Sequence, residues 1–158
     1  MADIFNDDFR DFIQAFNECN VEYILIGGYS VIIYGYQRVT GDMDIWVNKT
    51  IENYKNIIKA FEKFGMPIFD MTEKKFLSNN KTSEVFRFGI SPTRIDLMTK
   101  VKGMEFDVCI KEANWFQDEE LKVRVIHYNQ LLESKKASNR VKDKEDIKNL
   151  SRLKKLLK

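Results

Sequence analysis

The spacing of hydrophobic residues predicts a helix followed by a short strand at the start of the chain. Over residues 7–18 the apolar side chains stand three or four positions apart, which places them on one face of a helix. Residues 23–26 form a short apolar run that leads into two glycines, a pattern typical of a strand that ends in a turn. Residues 29–36 are expected to form a short helix or a helical turn.

The middle of the chain alternates between strand and helix patterns. Residues 42–47 alternate acidic with apolar side chains and are predicted to form a second strand. A helical stripe of apolar residues follows Thr50, which is a residue type that caps helix N-termini. Residues 84–90 and 93–98 are predicted to form two strands of a hairpin, joined by the turn residues Ser91-Pro92.

The last third of the chain is predicted to add one strand, at 122–126, and two helices, near 129–137 and 143–157. Asp143 precedes the last helical pattern and is interpreted as its N-cap. This order of elements predicts an α/β or α+β protein with a mixed sheet and helices packed mainly on one face. We expect a single domain over residues 1–158, with its C-terminal helices beginning at about residue 129.

Composition is that of a folded domain. The chain has 158 residues, of which 44% are hydrophobic and 32% charged, which suits a protein with a real core. No stretch approaches the roughly 20 apolar residues that a membrane-spanning helix needs, and the acidic first residues do not resemble a signal peptide. A cytoplasmic protein without a membrane partner is expected. Cys19 and Cys109 are far apart and outside any CxxC spacing, which argues against a zinc site or a disulfide framework.

Charge is unevenly distributed along the chain. The net charge is only +2, but basic residues are in excess between Lys135 and Lys158. This segment fits the solvated face of a terminal helix equally well as a patch that contacts the phosphates of a nucleotide or of RNA.

The candidate chemistry lies in three aspartates on two predicted strands. Asp42 and Asp44 are two positions apart, so their carboxylates point to the same face of the strand, roughly 6.5 Å from each other. Bare carboxylates on a buried strand would repel one another, and a Mg²⁺ ion with oxygen ligands removes that cost. Asp96 lies between two apolar residues on a later strand. Three such acids suit two metal ions about 3.5–4 Å apart that act on a phosphoryl group, with Asp96 beside the attacking hydroxyl.

Two glycines, Gly27 and Gly28, stand between a predicted strand and a predicted helix. Glycines at such a junction let backbone N–H groups approach a phosphate closely, and the helix N-terminus adds a favourable potential. Tyr29 and Ser30 are candidates for side-chain contacts. Paired glycines alone are weak evidence because many turns contain them, but their combination with two later strands that carry DMD and RID is more specific.

This combination resembles the polymerase-beta-type nucleotidyltransferase superfamily. The stretch IGGYSVIIYGYQRVTGDMDIWV is similar to the family's opening motif, and the chain is similar to the bacterial group related to abortive-infection nucleotidyltransferase toxins. The resemblance spans about residues 21 to 150. The matching positions are Arg38, Thr40, Asp42, Asp44, Arg94, Ile95, Asp96, Leu97, Lys135, Arg140, Lys142, Asp143 and Asp146.

The resemblance implies a nucleotidyltransferase-type sheet and a Mg²⁺-dependent transfer of an NMP from an NTP to a hydroxyl of RNA, such as tRNA, or of a protein. A toxin–antitoxin or phage-defence system, with a toxin or antitoxin partner, is the implied setting. Asp42, Asp44 and Asp96 would be catalytic and hold Mg²⁺, with Mn²⁺ as the alternative ion. The expected nucleotide-binding residues are Gly27, Gly28, Tyr29, Ser30, Arg38, Thr40, Lys135, Arg140 and Asp143.

Several of the candidate site residues also fit a purely structural role. Arg38 fits a phosphate contact, but it also fits an ion pair that orients the acids. Thr40 fits a turn residue, and Lys135 fits a solvated helix lysine. His127 has no evident partner and is assigned no catalytic role. For the whole chain, the alternative is a catalytically silent nucleotide- or RNA-binding regulatory module of the same fold, against which the three intact acids argue.

Overall fold

The computed structural model describes residues 4–36 and 39–156. In that part of the chain helices and strands alternate, in the order α1 Asp7–Glu18, β1 Tyr23–Ile26, α2 Gly27–Ile33, β2 Met43–Val47, α3 Ile51–Phe64, α4 Glu73–Leu77, β3 Val85–Phe88, β4 Ile95–Met98, α5 Phe106–Glu112, β5 Asn114–Asp118, β6 Leu121–Val125, α6 Tyr128–Ser138 and α7 Val141–Leu156. A short 3-10 turn covers Lys81–Ser83.

The strands form a six-stranded sheet in the order β3-β4-β2-β1-β6-β5. Strands β2 and β4 are parallel, as are β1 and β6, whereas the other neighbours are antiparallel. The sheet is therefore mixed, which confirms the predicted fold class. The predicted hairpin is also confirmed, since β3 and β4 pair directly.

Local sequence signals fix the ends of the long helix α3. The side chain of Thr50 accepts a hydrogen bond from the backbone N–H of Asn53 at 3.1 Å, as the sequence predicts for an N-cap. Gly65 ends the helix in the left-handed conformation, at φ 85°, which a residue without a Cβ adopts at little cost.

Helices α1 and α3 cover one face of the sheet with aromatic side chains. The Phe12 and Phe61 rings lie 5.6 Å apart between the two helices, and Phe61 also contacts Phe88 of β3 at 4.9 Å. Phe16 packs on Tyr23 of β1 at 5.8 Å. On the opposite face, Phe106 of α5 packs against buried Trp46 with the two rings nearly perpendicular.

Several predicted boundaries differ from the structure. Helix α2 begins at Gly27 rather than near residue 29, so both glycines belong to its first turn. Strand β2 begins at Met43, which leaves Asp42 just ahead of it. Helix α5 and strand β5 were not predicted; β5 is an edge strand whose residues are largely exposed, so it lacks the buried alternation that marks a strand.

The N-cap interpretation of Asp143 is wrong. Helix α7 begins at Val141, so Asp143 is its third residue. Its carboxylate accepts a hydrogen bond at 3.0 Å from the backbone N–H of Arg140, the residue before the helix. Such a hydrogen bond, from the backbone N–H before the helix to a side chain at its third position, is half of a capping box.

No helix in the described part of the chain is long and apolar enough to cross a membrane.

Candidate active site

Two of the predicted acids are direct neighbours across a pair of parallel strands. Asp44 of β2 stands in register with Asp96 of β4, so both side chains leave the same face of the sheet. Asp44 pairs with Ile26 of β1, so both side chains point to the same face of the sheet. Tyr23 is three positions from Ile26, so it points to the other face, where it packs on α1. The acids therefore lie on the face opposite α1 and α3. Asp42 lies two residues before Asp44, on the same side.

A cleft of about 450 Å³ opens over these acids; we call it the glycine cleft. It gathers most of the site residues that the sequence predicts. Those that line it are Gly27, Gly28, Thr40, Asp42, Asp44, Asp96, Lys135 and Arg140. Residues from the beginning and the end of the chain therefore meet at the ends of β1, β2 and β4. Arg38 lies outside the described residues.

Gly27 is required where β1 turns into α2. Its backbone has φ +71°, which disfavours any residue with a side chain, and a Cβ at this position would collide with the carboxylate of Asp44. The glycine thus lets the backbone pass directly over one of the acids. The same closeness would let its N–H group reach a ligand held by that acid.

Asp44 is held in an environment that disfavours its charge. Burial raises the pKa of its carboxyl to about 6, and the neighbouring charges of Asp96 and Asp42 act in the same direction. Arg140 and Lys135 counteract part of this shift. A cation beside Asp44 would relieve both the burial cost and the repulsion.

Arg94 holds two of the three acids in ion pairs. Its guanidinium contacts Asp96 through Nε at 2.8 Å and Nη2 at 3.0 Å, and Nη2 also lies 3.2 Å from Oδ2 of Asp42. The hydrogen bonds that Arg94 donates to the Asp96 carboxylate raise the pKa of the Arg94 guanidinium. Asp42 accepts two further hydrogen bonds, from the Ser91 hydroxyl at 2.9 Å and from the backbone N–H of Arg94 at 3.2 Å.

In this structure, Asp42 and Asp96 are paired with Arg94 instead of forming a cluster with Asp44. Within residues 4–36 and 39–156, no three His, Cys, Asp or Glu side chains are grouped closely enough to hold a metal ion. The guanidinium of Arg94 uses the carboxylate oxygens of Asp42 and Asp96 that a metal would use. Arg94 was not among the residues predicted for the site, although its position two residues before Asp96 places both on the same face of the strand.

Buried Lys135 and exposed Arg140 both line the glycine cleft, and both bond Asp143 at the junction of α6 and α7. Nζ of Lys135 lies 3.4 Å from Asp143 and 3.0 Å from Asp146, and all three side chains are almost fully buried. Lys135 is therefore not a solvated helix lysine. Arg140 bonds the same Asp143 through Nε at 2.9 Å and Nη2 at 3.1 Å.

Asp143 is the centre of this cluster. Burial alone would raise the pKa of its carboxyl, but hydrogen bonds from Arg140 and from the Ser138 hydroxyl, together with the charge of Lys135, hold that pKa well below its usual range. Asp143 is thus a carboxylate that fixes two cations at the edge of the cleft, and its own oxygens are occupied by them.

Besides Asp143, which bonds the two cations, Tyr29 and Ser30 are predicted nucleotide contacts that do not line the glycine cleft. The Tyr29 ring stacks on Phe5 at 5.2 Å in the core, and its hydroxyl donates to the backbone carbonyl of Gly41 at 3.4 Å. The hydroxyl of buried Ser30 donates to the carbonyl of Gly27 at 2.6 Å. Tyr29 therefore connects α2 to the residue before Asp42, and Ser30 bonds within the first turn of α2. His127 caps α6 through Nδ1.

Comparison with known proteins agrees with this fold. No protein-family model matches the chain, and no curated protein matches it. Among solved structures, a candidate nucleotidyltransferase from Thermotoga maritima is similar with a TM-score of 0.60 and 15% sequence identity, over 89% of this chain and 88% of that one. The lincosamide antibiotic adenylyltransferase LnuA, with bound lincomycin, is similar with a TM-score of 0.61 and 16% identity, over 95% of this chain and 98% of that one. The chain therefore has the nucleotidyltransferase fold that the resemblance implies.

Proposed function

We propose that this chain is a cytoplasmic, Mg²⁺-dependent nucleotidyltransferase that transfers an NMP from an NTP to an acceptor hydroxyl. The observation that carries the proposal is the register of Asp44 with Asp96 beneath a cleft bordered by Gly27, Lys135 and Arg140. Acids, a close backbone approach and cations held in place are the three features that a triphosphate and its metal need.

The donor set fits a hard divalent cation. Asp42, Asp44 and Asp96 offer only carboxylate oxygens, which Mg²⁺ prefers and Mn²⁺ accepts. Burial and the neighbouring carboxylates raise the pKa of Asp44 although Arg140 and Lys135 offset part of the shift, so a further cation beside this carboxyl would be favourable. When bound, the ion would polarise the α-phosphate and neutralise charge on the attacking and leaving oxygens. Arg94 would release Asp42 and Asp96 and become free to contact a phosphate.

The chain's own residues would position the nucleotide. The turn at Gly27 and Gly28 lets the backbone approach the triphosphate, while Lys135 and Arg140 contribute fixed positive charge. Because Asp143 already holds both cations in place, little ordering cost remains when the nucleotide binds. Asp96 would accept the proton of the attacking hydroxyl.

The acceptor is proposed from the family resemblance to be a hydroxyl of RNA, such as tRNA, or of a protein, in a toxin–antitoxin or phage-defence system. A second candidate is a small-molecule hydroxyl. It is favoured by the similarity to LnuA, which is an adenylyltransferase for lincosamide antibiotics and matches this chain over nearly its whole length. The competing proposal is a silent nucleotide- or RNA-binding module of the same fold.

The test is transfer of α-³²P label from each of the four NTPs, with Mg²⁺, into the RNA, protein and small molecules of a bacterial lysate. The wild type is compared with Asp42→Ala/Asp44→Ala and with a matched control, Asp8→Ala/Asp11→Ala, whose two aspartates are exposed on α1. We expect label with the wild type and the control and none with the site variant. Absence of label in every fraction, or label that persists in the site variant, would contradict the proposal.

A further inference from the structure

The two edges of the sheet differ in how they are protected from pairing with a further strand. Among the described residues, β3 and β5 are the outermost strands. An edge strand presents unpaired backbone N–H and C=O groups, and proteins usually protect it with a charged side chain, a proline or a bulge. Strand β3 carries the exposed cation Arg87, which is such a protection.

Strand β5 has none of these protections. Its five residues, Asn114–Asp118, include no lysine, arginine or proline, and they pair with β6 without a bulge. Its one charged side chain, Asp118, is fully buried and forms an ion pair with Arg10 at 3.0 Å. Trp115, in contrast, is 53% exposed. Strand β5 is therefore an open edge that carries a large exposed apolar side chain.

The indole of Trp115 is already held in position. The guanidinium carbon of Arg124, its partner residue on β6, lies 4.5 Å from the centre of the indole ring. Such a cation–π contact orders both side chains. Tryptophan and arginine are the residue types that most often dominate the energy of protein interfaces. A pair that is ordered before binding loses little entropy when a partner arrives.

The hairpin geometry defines which backbone groups of β5 are free. A two-residue turn joins β5 to β6 and is closed by the pair Asp118 and Leu121. The closing pair of such a turn is hydrogen-bonded, and hydrogen-bonded pairs alternate with non-hydrogen-bonded pairs along antiparallel strands. Trp115 and Gln117 are therefore the non-hydrogen-bonded positions towards β6. Their backbone N–H and C=O groups point out of the edge of the sheet.

We propose that β5 is a dimerisation edge, on which a second copy of this chain adds its own β5 in the antiparallel direction. The two six-stranded sheets then become continuous. A two-fold axis at Phe116 places Trp115 opposite Gln117 of the partner subunit and Gln117 opposite the partner's Trp115. This register pairs the outward N–H and C=O groups of both residues with those of the partner.

A second copy fits this edge because the strand is complementary to itself. A two-fold interface brings the same surface together from both subunits, so it requires self-complementarity. About the proposed axis, Phe116 lies opposite the partner's Phe116, and aromatic cross-strand pairs are stabilising. No like charges are opposed, since the only charged residue of β5, Asp118, is neutralised by Arg10.

The first test is the molecular mass in solution, measured by analytical ultracentrifugation at about 1 to 100 µM protein. The wild type is compared with Trp115→Glu/Gln117→Glu and with the matched variant Trp115→Glu/Gln117→Lys. Within one chain, the glutamates introduced in the first variant lie beside Arg124 and Lys122, so they favour the hairpin. Across the two-fold axis, the first variant opposes glutamate to glutamate, whereas the second opposes glutamate to lysine.

We expect the mass of the wild type to approach twice the 18.7 kDa of one chain as the concentration rises. Both variants lack the indole and should associate more weakly. The glutamate–lysine variant should associate at least about tenfold more tightly than the double-glutamate variant, because two repulsive cross-strand pairs become attractive. A wild type that stays at the mass of one chain would overturn the inference, as would equal association by the two variants.

Hydrogen exchange of single amides, measured by NMR, locates the contact without any substitution. In the dimer the N–H groups of Trp115 and Gln117 become hydrogen-bonded, so their exchange should slow as the protein concentration rises. The N–H groups of Phe116 and Asp118 already face β6, so they serve as internal controls and should change little. A dimer in which exchange at Trp115 and Gln117 does not slow would use another surface and would overturn the inference.

The inference goes beyond nucleotidyl transfer and can fail separately from it. Strands β6 and β1 lie between β5 and the strands β2 and β4 that carry Asp44 and Asp96. A dimer without label transfer would leave the edge assignment standing, whereas label transfer by a monomer would overturn that assignment alone.

Discussion

The two faces of the sheet are stabilised in different ways. The face under α1 and α3 is filled by aromatic rings in contact, such as Phe12, Phe61 and Phe88. The opposite face buries charged groups instead, among them Asp96, Lys135, Asp143 and Asp146. Charged side chains are rarely fully buried unless they are paired. The aromatic face therefore stabilises the fold, and part of that stability offsets the cost of burying the charged groups on the other face.

The largest effect on stability is expected on the aromatic face. Phe61 of α3 is fully buried against α1 and β3, so Phe61→Ala removes packing and leaves a cavity. We expect a loss of about 3–5 kcal/mol in the free energy of unfolding, measured by urea denaturation. Once the variant is folded at low temperature, its metal affinity should equal that of the wild type. A large loss of metal affinity would show that the two faces are not separable.

A somewhat smaller effect is expected where two buried carboxylates lose the cation that they share. Lys135→Met keeps the length of the side chain but leaves Asp143 and Asp146 without their shared cation. We expect destabilisation of about 3 kcal/mol near neutral pH, within the range for breaking a buried pair. Lys136→Met, at an exposed position next in sequence, is the matched control and should change stability little. Similar stabilities for the two variants would contradict the role given to the cluster.

At Asp44, in contrast, a substitution is expected to increase the free energy of unfolding. Its folded pKa of about 6 lies above its ordinary value of 3.8, so the folded metal-free protein loses stability as pH rises from about 4 to 6. Asp44→Asn removes that cost. It should raise the free energy of unfolding by about 2–3 kcal/mol at pH 7 in chelator and by nearly nothing at about pH 4. A stabilisation that is the same at both pH values would show that the charge of Asp44 is not its cause.

The smallest effect is expected from Arg94. Because its guanidinium bonds carboxylate oxygens of Asp42 and Asp96, it competes with a metal ion for them. Arg94→Gln should therefore bind Mn²⁺ more tightly in the absence of nucleotide, by about tenfold, which corresponds to about 1.4 kcal/mol, measured by isothermal titration. Arg87→Gln is the control, since Arg87 stands in register with Asp96 on the neighbouring strand. Weaker Mn²⁺ binding by Arg94→Gln than by the wild type would contradict the competition.

The aromatic face was the easier one to predict from the sequence. Its residues follow helical and strand periods, and Thr50 and Gly65 mark the ends of α3 by local chemistry alone. The edge strand β5 was missed because most of its side chains are exposed and therefore follow no burial period.

On the charged face, the sequence predicted many of the residues that line the glycine cleft but not how they pair. The spacing of Asp42 and Asp44 indicates a shared face, and the RID pattern predicts a third acid, but the parallel register that joins Asp44 to Asp96 depends on strand order. Likewise, Lys135 and Asp143 are eight residues apart on two helices, and their buried contact depends on the turn between α6 and α7. Tertiary pairing of this kind has no local signal.

Asp96→Asn gives the most direct test that the charged face is a nucleotidyltransferase site. The substitution keeps the shape of the side chain at the register position beside Asp44 and removes only its charge and its ability to accept a proton. Incorporation of α-³²P label from the preferred NTP, with Mg²⁺, should fall by about 10³-fold relative to the wild type while the variant remains folded. Label incorporation by Asp96→Asn at the wild-type rate would contradict the account.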